Sequence, residues 1–328
     1  MAAGNRRRRN WRRIGVIVLI GGFVLLNGVA WMQTWAMTHF APAGQPPPRM
    51  ESLSVPQKAW LVLTGVQVAR PRNDHTPRDV GLSYEVRRIP VAGGESLEAW
   101  WMPQVRPRGL VLLFPGYASS KESLLARAVV FHDLGYDALA VDFRGAGGSS
   151  GQDTTLGVRE AADVAQAVAY ARQTWPDRRL MLYGVSMGSA AVLRAVAQVG
   201  VRPAAVILES PFDRLLTTVR NRFRVMGLPA FPSAELMVFW GSVQHGFNGF
   251  AHNPADYAAA VQCPALVLHG DQDTRATSAE ARAVYDRLAG PKQFVDFPGA
   301  GHDVPVAGAP QAWSAPVARF LDGLPAGP

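Results

Sequence analysis

The chain has 328 residues, of which 48% are hydrophobic and 18% charged, a composition that suits a folded core and excludes a disordered protein. Its one cysteine, Cys263, excludes an internal disulfide, a zinc site built on cysteines and an iron–sulfur centre. The formal net charge of +8 comes from the N-terminus, because residues 1–49 hold seven arginines and no acidic residue while the rest has 26 basic and 25 acidic residues. We therefore expect no nucleic-acid partner.

An uncharged apolar run follows a basic segment at the N-terminus. Residues 1–13 contain six arginines, and residues 14–37 form a run of 24 residues without charge. About 20 apolar residues suffice to cross a bilayer, and Trp31 and Trp35 near the far end suit its interface. The run is predicted to be an uncleaved, single-pass membrane anchor, with the N-terminus cytoplasmic and the rest of the chain extracytoplasmic. A cleaved signal peptide is the alternative, although its apolar region is usually only about 7–15 residues long.

A proline-rich spacer over residues 38–55 leads to the folded domain, residues 56–328. Within that domain, short apolar runs alternate with segments of helical spacing. The predicted strands are residues 84–90, 97–102, 109–114, 138–143, 180–183, 205–208, 265–269 and 293–297. The predicted helices are residues 56–67, 124–134, 157–173, 189–198, 278–289 and 312–321. This alternation predicts an α/β fold with a mostly parallel central sheet, helices on both faces, and a small cap formed by the insertion 211–262.

One G-x-S-x-G motif, Gly184-Val185-Ser186-Met187-Gly188, stands between a predicted strand and a predicted helix. In that context a tight turn lifts the serine side chain out of the sheet, and the glycines avoid collisions with neighbouring backbone. A chance occurrence of this short pattern is the alternative. We identify Ser186 as a candidate nucleophile.

A serine hydroxyl needs a base within hydrogen-bond reach and a group that orients the base. His302 follows the last predicted strand and is the candidate base, with a solvated surface histidine as the alternative. Asp271 and Asp273 both follow the strand 265–269, and we favour Asp273 as the orienting acid because it lies further beyond the strand. All these candidates follow the carboxyl ends of strands, where ligands bind in parallel sheets.

Attack on a carbonyl produces an oxyanion, which needs N–H donors already in place. The backbone N–H of Met187, directly after the serine, is the first candidate donor. The second is the N–H of Tyr117, in the loop after strand 109–114, where Gly116 permits a tight turn.

Together these motifs resemble those of α/β-hydrolases, in particular the serine-aminopeptidase-like branch, which includes membrane-anchored bacterial members. The matching segments are residues 111–125, 138–151, 154–164, 182–190, 207–212, 263–273 and 299–303. The resemblance implies an α/β-hydrolase fold, hydrolysis of carboxylic esters or related acyl groups through an acyl-enzyme, no cofactor, and a triad of Ser186, Asp273 and His302. Pro115 replaces a histidine that the family usually has in the oxyanion loop, so an N–H donor is absent there.

The cap insertion is dense in large apolar residues, which suits an acyl or alkyl pocket. Phe212, Phe223 and Trp240 are the candidate pocket residues, and packing of the cap on the domain is the alternative. We expect an ester or lipid-like small-molecule substrate and no metal ion, because His245 and His252 lack acidic neighbours in the sequence.

Two other functions remain open from the sequence. The first is a peptidase or amidase with the same triad. The second is a catalytically idle domain that serves as an interaction module, for which a missing triad member is the expected mark. The sequence leaves the oligomeric state open.

Overall fold

The computed structural model describes residues 2–42, 54–304 and 310–325. Eight strands within these ranges form one sheet. In chain order they are β1 (Glu85–Pro90), β2 (Ser96–Met102), β3 (Leu110–Phe114), β4 (Asp137–Val141), β5 (Leu180–Val185), β6 (Ala205–Glu209), β7 (Ala265–Gly270) and β8 (Lys292–Phe297). Each corresponds to a strand predicted from the sequence, so the strand predictions are confirmed.

The strands lie in the spatial order β1-β2-β4-β3-β5-β6-β7-β8. β2 is antiparallel to both of its neighbours, while the strands from β3 to β8 are all parallel. Successive side chains of a strand point to opposite faces, and Leu112 and Leu113 of β3 are both fully buried. Both faces of the sheet are therefore covered, and the parallel strands end at one common edge.

Ten α-helices lie within the described residues. They are α1 (Ala2–Thr38), α2 (Val55–Thr64), α3 (Leu125–Asp133), α4 (Glu160–Thr174), α5 (Met187–Arg194), α6 (Leu215–Val225), α7 (Ser233–His245), α8 (Pro254–Ala258), α9 (Ser278–Arg287) and α10 (Pro310–Asp322). Helices α4, α5, α8 and α9 contribute to the core on one face, and α3 and α10 to the core on the other. The fold is thus the predicted three-layer arrangement with a mostly parallel sheet.

Helix α4 begins three residues later than the apolar spacing predicts. Leu156 and Gly157 have positive φ angles of 55° and 108°, which a right-handed helix excludes. The Glu160 carboxylate accepts hydrogen bonds from the N–H groups of Thr155 and Gly157, both at 2.9 Å. A carboxylate-capped turn therefore replaces the first helical turn, although its residues continue the helical spacing.

Helix α1 is long and apolar enough to cross a membrane over Asn10–Thr38. Its residues 10–26 are exposed, whereas its last three turns pack on the cap. The rings of Trp31 and Trp240 meet edge to face, with 5.1 Å between their centroids, and Trp240 Nε1 donates to Asn27 Oδ1 at 3.2 Å. The Thr34 hydroxyl donates to the Met237 carbonyl at 3.2 Å. The predicted anchor is therefore in direct contact with the predicted cap.

The spacer predicted over residues 38–55 lies largely outside the described residues. Its described beginning is paired with the domain, because the Phe40 N–H donates to the Gln152 carbonyl at 2.7 Å and the Ala41 N–H to the Val68 carbonyl at 2.9 Å. The chain is therefore bonded to the domain at Phe40 and Ala41. The predicted insertion, residues 211–262, carries α6, α7 and α8 between β6 and β7, and we call it the cap.

Candidate active site

Ser186 occupies the turn between β5 and α5. Its backbone angles, φ 52° and ψ −109°, lie in a region that residues other than glycine rarely adopt. A Cβ added to Gly184 lies 2.5 Å from the Gly188 carbonyl carbon, and one added to Gly188 overlaps the Phe114 carbonyl oxygen. Both glycines are thus required by close backbone approach, as the motif predicts.

The neighbouring strand holds this strained turn in place. The Ser186 N–H donates to the Glu209 carbonyl at 2.8 Å. The buried hydroxyl of Ser189 donates to the carbonyl of Gly184 at 2.6 Å and also lies 3.1 Å from that of Glu209. These bonds to β5 and β6 help to offset the cost of the backbone conformation, which is about 1–3 kcal/mol.

His302 and Asp273 are in contact at the carboxyl edge of the sheet. His302 Nδ1 lies 2.7 Å from Asp273 Oδ2. The other oxygen of the buried Asp273 carboxylate accepts from the N–H groups of Arg275 at 2.8 Å and Ala276 at 3.0 Å. Asp271 is exposed and accepts instead from the Gly299 N–H at 2.7 Å, so it supports the loop before the histidine.

The loop that carries His302 is held at the end of β6. The Ser210 hydroxyl donates to the His302 carbonyl at 2.9 Å, and Ser210 directly follows Glu209, which binds the Ser186 N–H. Ser186 and His302 are therefore attached to adjacent residues of one strand end. Within the described ranges the Ser186 hydroxyl makes no hydrogen bond to the His302 ring, and residues 305–309 beyond the histidine are not described.

The two segments that carry the expected oxyanion donors both adjoin Ser186. Met187 begins α5, where the first backbone N–H groups have no partner within the helix. A Cβ added to Gly116 lies 3.8 Å from Ser186 Cβ, which places the Tyr117 loop beside the serine.

The side chain of Tyr117 contacts the anchor. Its hydroxyl donates to the carbonyl of Met37, in the last turn of α1, at 2.6 Å. The Arg222 guanidinium lies 4.9 Å from the centre of its ring, and burial raises the pKa of the phenol. The loop that carries the expected oxyanion donor is thus tied to the end of α1, a contact that the sequence does not indicate.

The three expected pocket residues occupy different surroundings. Phe212 is buried in a small cluster with Ala190 and Ala276. Phe223 is half-buried on α6, and Trp240 packs on α1 as described above. The structure does not bring these three rings into one cluster.

A buried charged network, which the sequence does not predict, lies behind the sheet edge. Glu209 is fully buried and accepts from Arg127 Nη2 at 2.6 Å, the Tyr183 hydroxyl at 2.6 Å and Trp313 Nε1 at 2.9 Å. Arg127 also donates to the Val304 carbonyl at 3.1 Å, two residues after His302. The network joins the end of β6 to the histidine loop, and the position of Glu209 at the end of a buried strand is its only signal in the sequence.

Asp142 and Arg144 lie in the segment 138–151, one of those that resemble α/β-hydrolases, and both make structural contacts. The fully buried Asp142 accepts from the N–H of Lys121 at 2.7 Å and is ion-paired with the Lys121 ammonium. Arg144 Nε donates to Asp163 at 2.8 Å and Arg144 Nη1 to Glu95 at 3.2 Å. Both side chains therefore hold loops together.

His245 lies near an acidic side chain after all, contrary to the expectation from the sequence. His39, Asp153 and His245 offer ligand atoms that lie within 4.8 Å of one another. The Arg159 guanidinium, however, is 2.9 Å from Asp153 and 2.7 Å from His245 Nδ1. Because this positive charge already pairs with the group, we assign no cation to it.

Comparison with known proteins gives consistent similarities. The sequence matches the family described as "Serine aminopeptidase, S33" over residues 105–236. An uncharacterised protein of Mycobacterium tuberculosis is 27% identical over 215 residues, which cover 65% of this chain and 70% of that protein. The monoacylglycerol lipase of Mycolicibacterium smegmatis is 27% identical over 238 residues, which cover 62% of this chain and 84% of the lipase.

A solved structure has the same fold. The esterase Pf2001 of Pyrococcus furiosus superposes with a TM-score of 0.65 at 24% sequence identity, covering 78% of this chain and 97% of the esterase. The strand order, the serine turn and this superposition show that the chain has the α/β-hydrolase fold.

Proposed function

We propose that the protein is a membrane-anchored serine hydrolase that cleaves carboxylic esters through an acyl-enzyme. The observation that carries the proposal is the 2.7 Å contact between His302 Nδ1 and Asp273. The loop of His302 is hydrogen-bonded to Ser210, directly after the residue that accepts from the Ser186 N–H. A carboxylate on Nδ1 leaves Nε2 of the histidine free to accept a proton.

In the proposed mechanism, the Ser186 hydroxyl attacks the ester carbonyl while His302 Nε2 accepts its proton. Negative charge then develops on the carbonyl oxygen, where the N–H groups of Met187 and Tyr117 donate to it. His302 returns the proton to the leaving alcohol, and an acyl-enzyme on Ser186 remains. Water, deprotonated by the same histidine, releases the acid and restores the serine. Asp273 keeps the ring oriented and stabilises its positive charge.

Two similarities favour esters, including lipid-like ones, as the substrate class. One aligned relative is a monoacylglycerol lipase, and a protein of the same fold is an esterase. The described cap adds many apolar side chains above the carboxyl edge of the sheet. A peptidase or amidase is the second candidate, favoured by the description of the matched family as serine aminopeptidase.

The proposed location is a membrane, with the catalytic domain on the extracytoplasmic side. It follows from the apolar length of α1 and from the arginines before it, which favour the cytoplasmic side.

The test is covalent labelling of the full-length protein by a fluorophosphonate, followed by a panel of matched esters and amides. Wild type is expected to label and to hydrolyse esters, whereas Ser186→Ala does neither. Ser83→Ala, a change at an exposed serine before β1, is the matched control and retains both. Labelling of Ser186→Ala as strong as that of wild type shows that another residue is the nucleophile.

A further inference from the structure

Helix α7 of the cap and the loop before it carry exposed, large apolar side chains. Phe231 is 76% exposed, Phe239 46% and Val243 51%, and Phe239 and Val243 are one turn apart on α7. Met226 and Leu228, in the loop before α7, are 60% and 51% exposed. Soluble surfaces rarely expose so many neighbouring large apolar residues. We call these five residues the cap surface.

The cap surface lacks charge over a long stretch of chain. Residues 225–234 contain no charged residue, and neither do residues 236–244, which form most of α7. Arg222 and Arg224 lie just before the loop, at the last turn of α6. Segments that lie in a membrane interface typically combine apolar residues with flanking arginines.

The anchor fixes the depth at which α7 sits. Arg13 is the last charged residue before the apolar run. About 20 residues of helix cross the hydrocarbon core of a bilayer, so the membrane-crossing part of α1 reaches the far side near Gln33. Asn27, Trp31 and Thr34 of α1 hold α7 through the contacts described above. Helix α7 therefore lies level with the far interface of the bilayer, where indole rings such as that of Trp31 are favoured.

We propose that the cap surface is embedded in the outer part of the lipid bilayer, so that the active site takes lipid-like esters directly from the membrane. The contact partner is the lipid itself, because α7 is packed on the membrane-crossing helix and shares its depth. The link to the active site is Tyr117, whose loop lies beside Ser186 and whose hydroxyl binds the carbonyl of Met37 at the end of α1. The part on substrate entry rests on the proposed function.

Depth-dependent quenching tests the embedding in the full-length protein. Single cysteines replace Phe231 or Phe239 in a Cys263→Ala background, carry a polarity-sensitive fluorophore, and are placed in phosphatidylcholine nanodiscs. The control is Val105→Cys, because Val105 is 95% exposed and precedes β3, at the opposite edge of the sheet. Nitroxide-labelled lipid is expected to quench the two cap labels several-fold more than the control, while aqueous iodide quenches mainly the control.

Two results overturn the proposal. If iodide quenches the cap labels as well as the control and nitroxide lipid does not, the surface faces water. If neither quencher reaches the cap labels, a second copy of the protein covers them. Far-UV circular dichroism of each variant, compared with that of wild type, shows that it is folded.

A kinetic experiment tests substrate entry. Phe231→Glu and Phe239→Glu are expected to lower kcat/KM for a monoacylglycerol in phosphatidylcholine vesicles by about tenfold, because a charge replaces a membrane-embedded ring. Hydrolysis of a water-soluble short-chain ester is expected to stay unchanged, and Val105→Glu changes neither activity. Equal effects on both substrates contradict membrane entry. If wild type hydrolyses neither substrate, the proposed function fails while the quenching result still decides the embedding.

Discussion

At the scale of single residues, the sequence predicts the turn at Ser186 because Gly184 and Gly188 lie where a side chain would collide with neighbouring backbone. The choice between Asp271 and Asp273 is different, since both follow β7 and both are carboxylates. Only the folded loop distinguishes the two: Asp273 is buried and contacts His302, whereas Asp271 is exposed and accepts from the Gly299 N–H. Tyr117 is a similar case, because nothing in its sequence neighbourhood indicates its bond to Met37.

The difference between the two aspartates gives the first prediction. Asp273→Asn is expected to lower kcat for ester hydrolysis by about 10³–10⁴-fold, because the amide no longer fixes the tautomer of His302 or stabilises its positive charge. Asp271→Asn is the matched control and is expected to change kcat by less than about threefold, since its carboxylate only accepts from a loop N–H. Steady-state kinetics on a soluble ester measures kcat for both variants. A larger decrease of kcat in Asp271→Asn than in Asp273→Asn identifies Asp271 as the orienting acid instead.

At the scale of elements, the apolar spacing predicts helix α4 but not its first residue. The positive φ angles of Leu156 and Gly157 and the carboxylate of Glu160 set the start of the helix, and a pattern of apolar positions carries no information about them. The packing of α1 on α7 is likewise not predictable from the sequence. Both helices are apolar on most sides, so their spacing does not show which face meets which partner.

A buried histidine joins the cap to the loop before α4 and gives the second prediction. His252 is 1% exposed, and its Nε2 donates to the Leu156 carbonyl at 3.0 Å. Burial lowers the pKa of this imidazole to about 4. In the unfolded chain this histidine binds a proton below about pH 6.5, whereas in the folded protein it stays neutral down to about pH 4. The free energy of unfolding therefore decreases as pH falls from about 6.5 toward 4.

His252→Gln is expected to remove that part of the acid sensitivity while keeping a donor to Leu156. Between pH 7.5 and 5, wild type loses about 2 kcal/mol more stability than the variant. Thermal unfolding of both proteins in detergent at the two pH values measures this difference. Identical losses in the two proteins show that His252 is not the source.

At the scale of the whole molecule, the order of strands and helices is predictable because each buried strand is a short continuous apolar run. The contacts that hold the sheet edge together are not predictable from the sequence. Arg127 binds the Glu209 carboxylate and the Val304 carbonyl, and these three residues are far apart in sequence and meet only after folding. The sequence therefore predicts where the active edge lies, and the folded chain decides how its loops are held there.

The orientation in the membrane is a property of the whole chain and gives the third prediction. In spheroplasts, a membrane-impermeant maleimide is expected to label Val105→Cys in the Cys263→Ala background without lysis, because the arginines of residues 1–13 favour the cytoplasmic side. Ala3→Cys, in the basic segment, is the paired control and is expected to label only after lysis. The reverse pattern places the catalytic domain in the cytoplasm.

The packing of α1 against α7 leaves the catalytic domain unable to swivel about a loose tether. In the proposed membrane location, the protein diffuses laterally with its proposed substrate entrance at a constant height, and it encounters substrate in two dimensions. Its turnover of a bilayer ester should accordingly follow the mole fraction of that ester in the membrane, and diluting the vesicles into more buffer should leave the rate per enzyme unchanged.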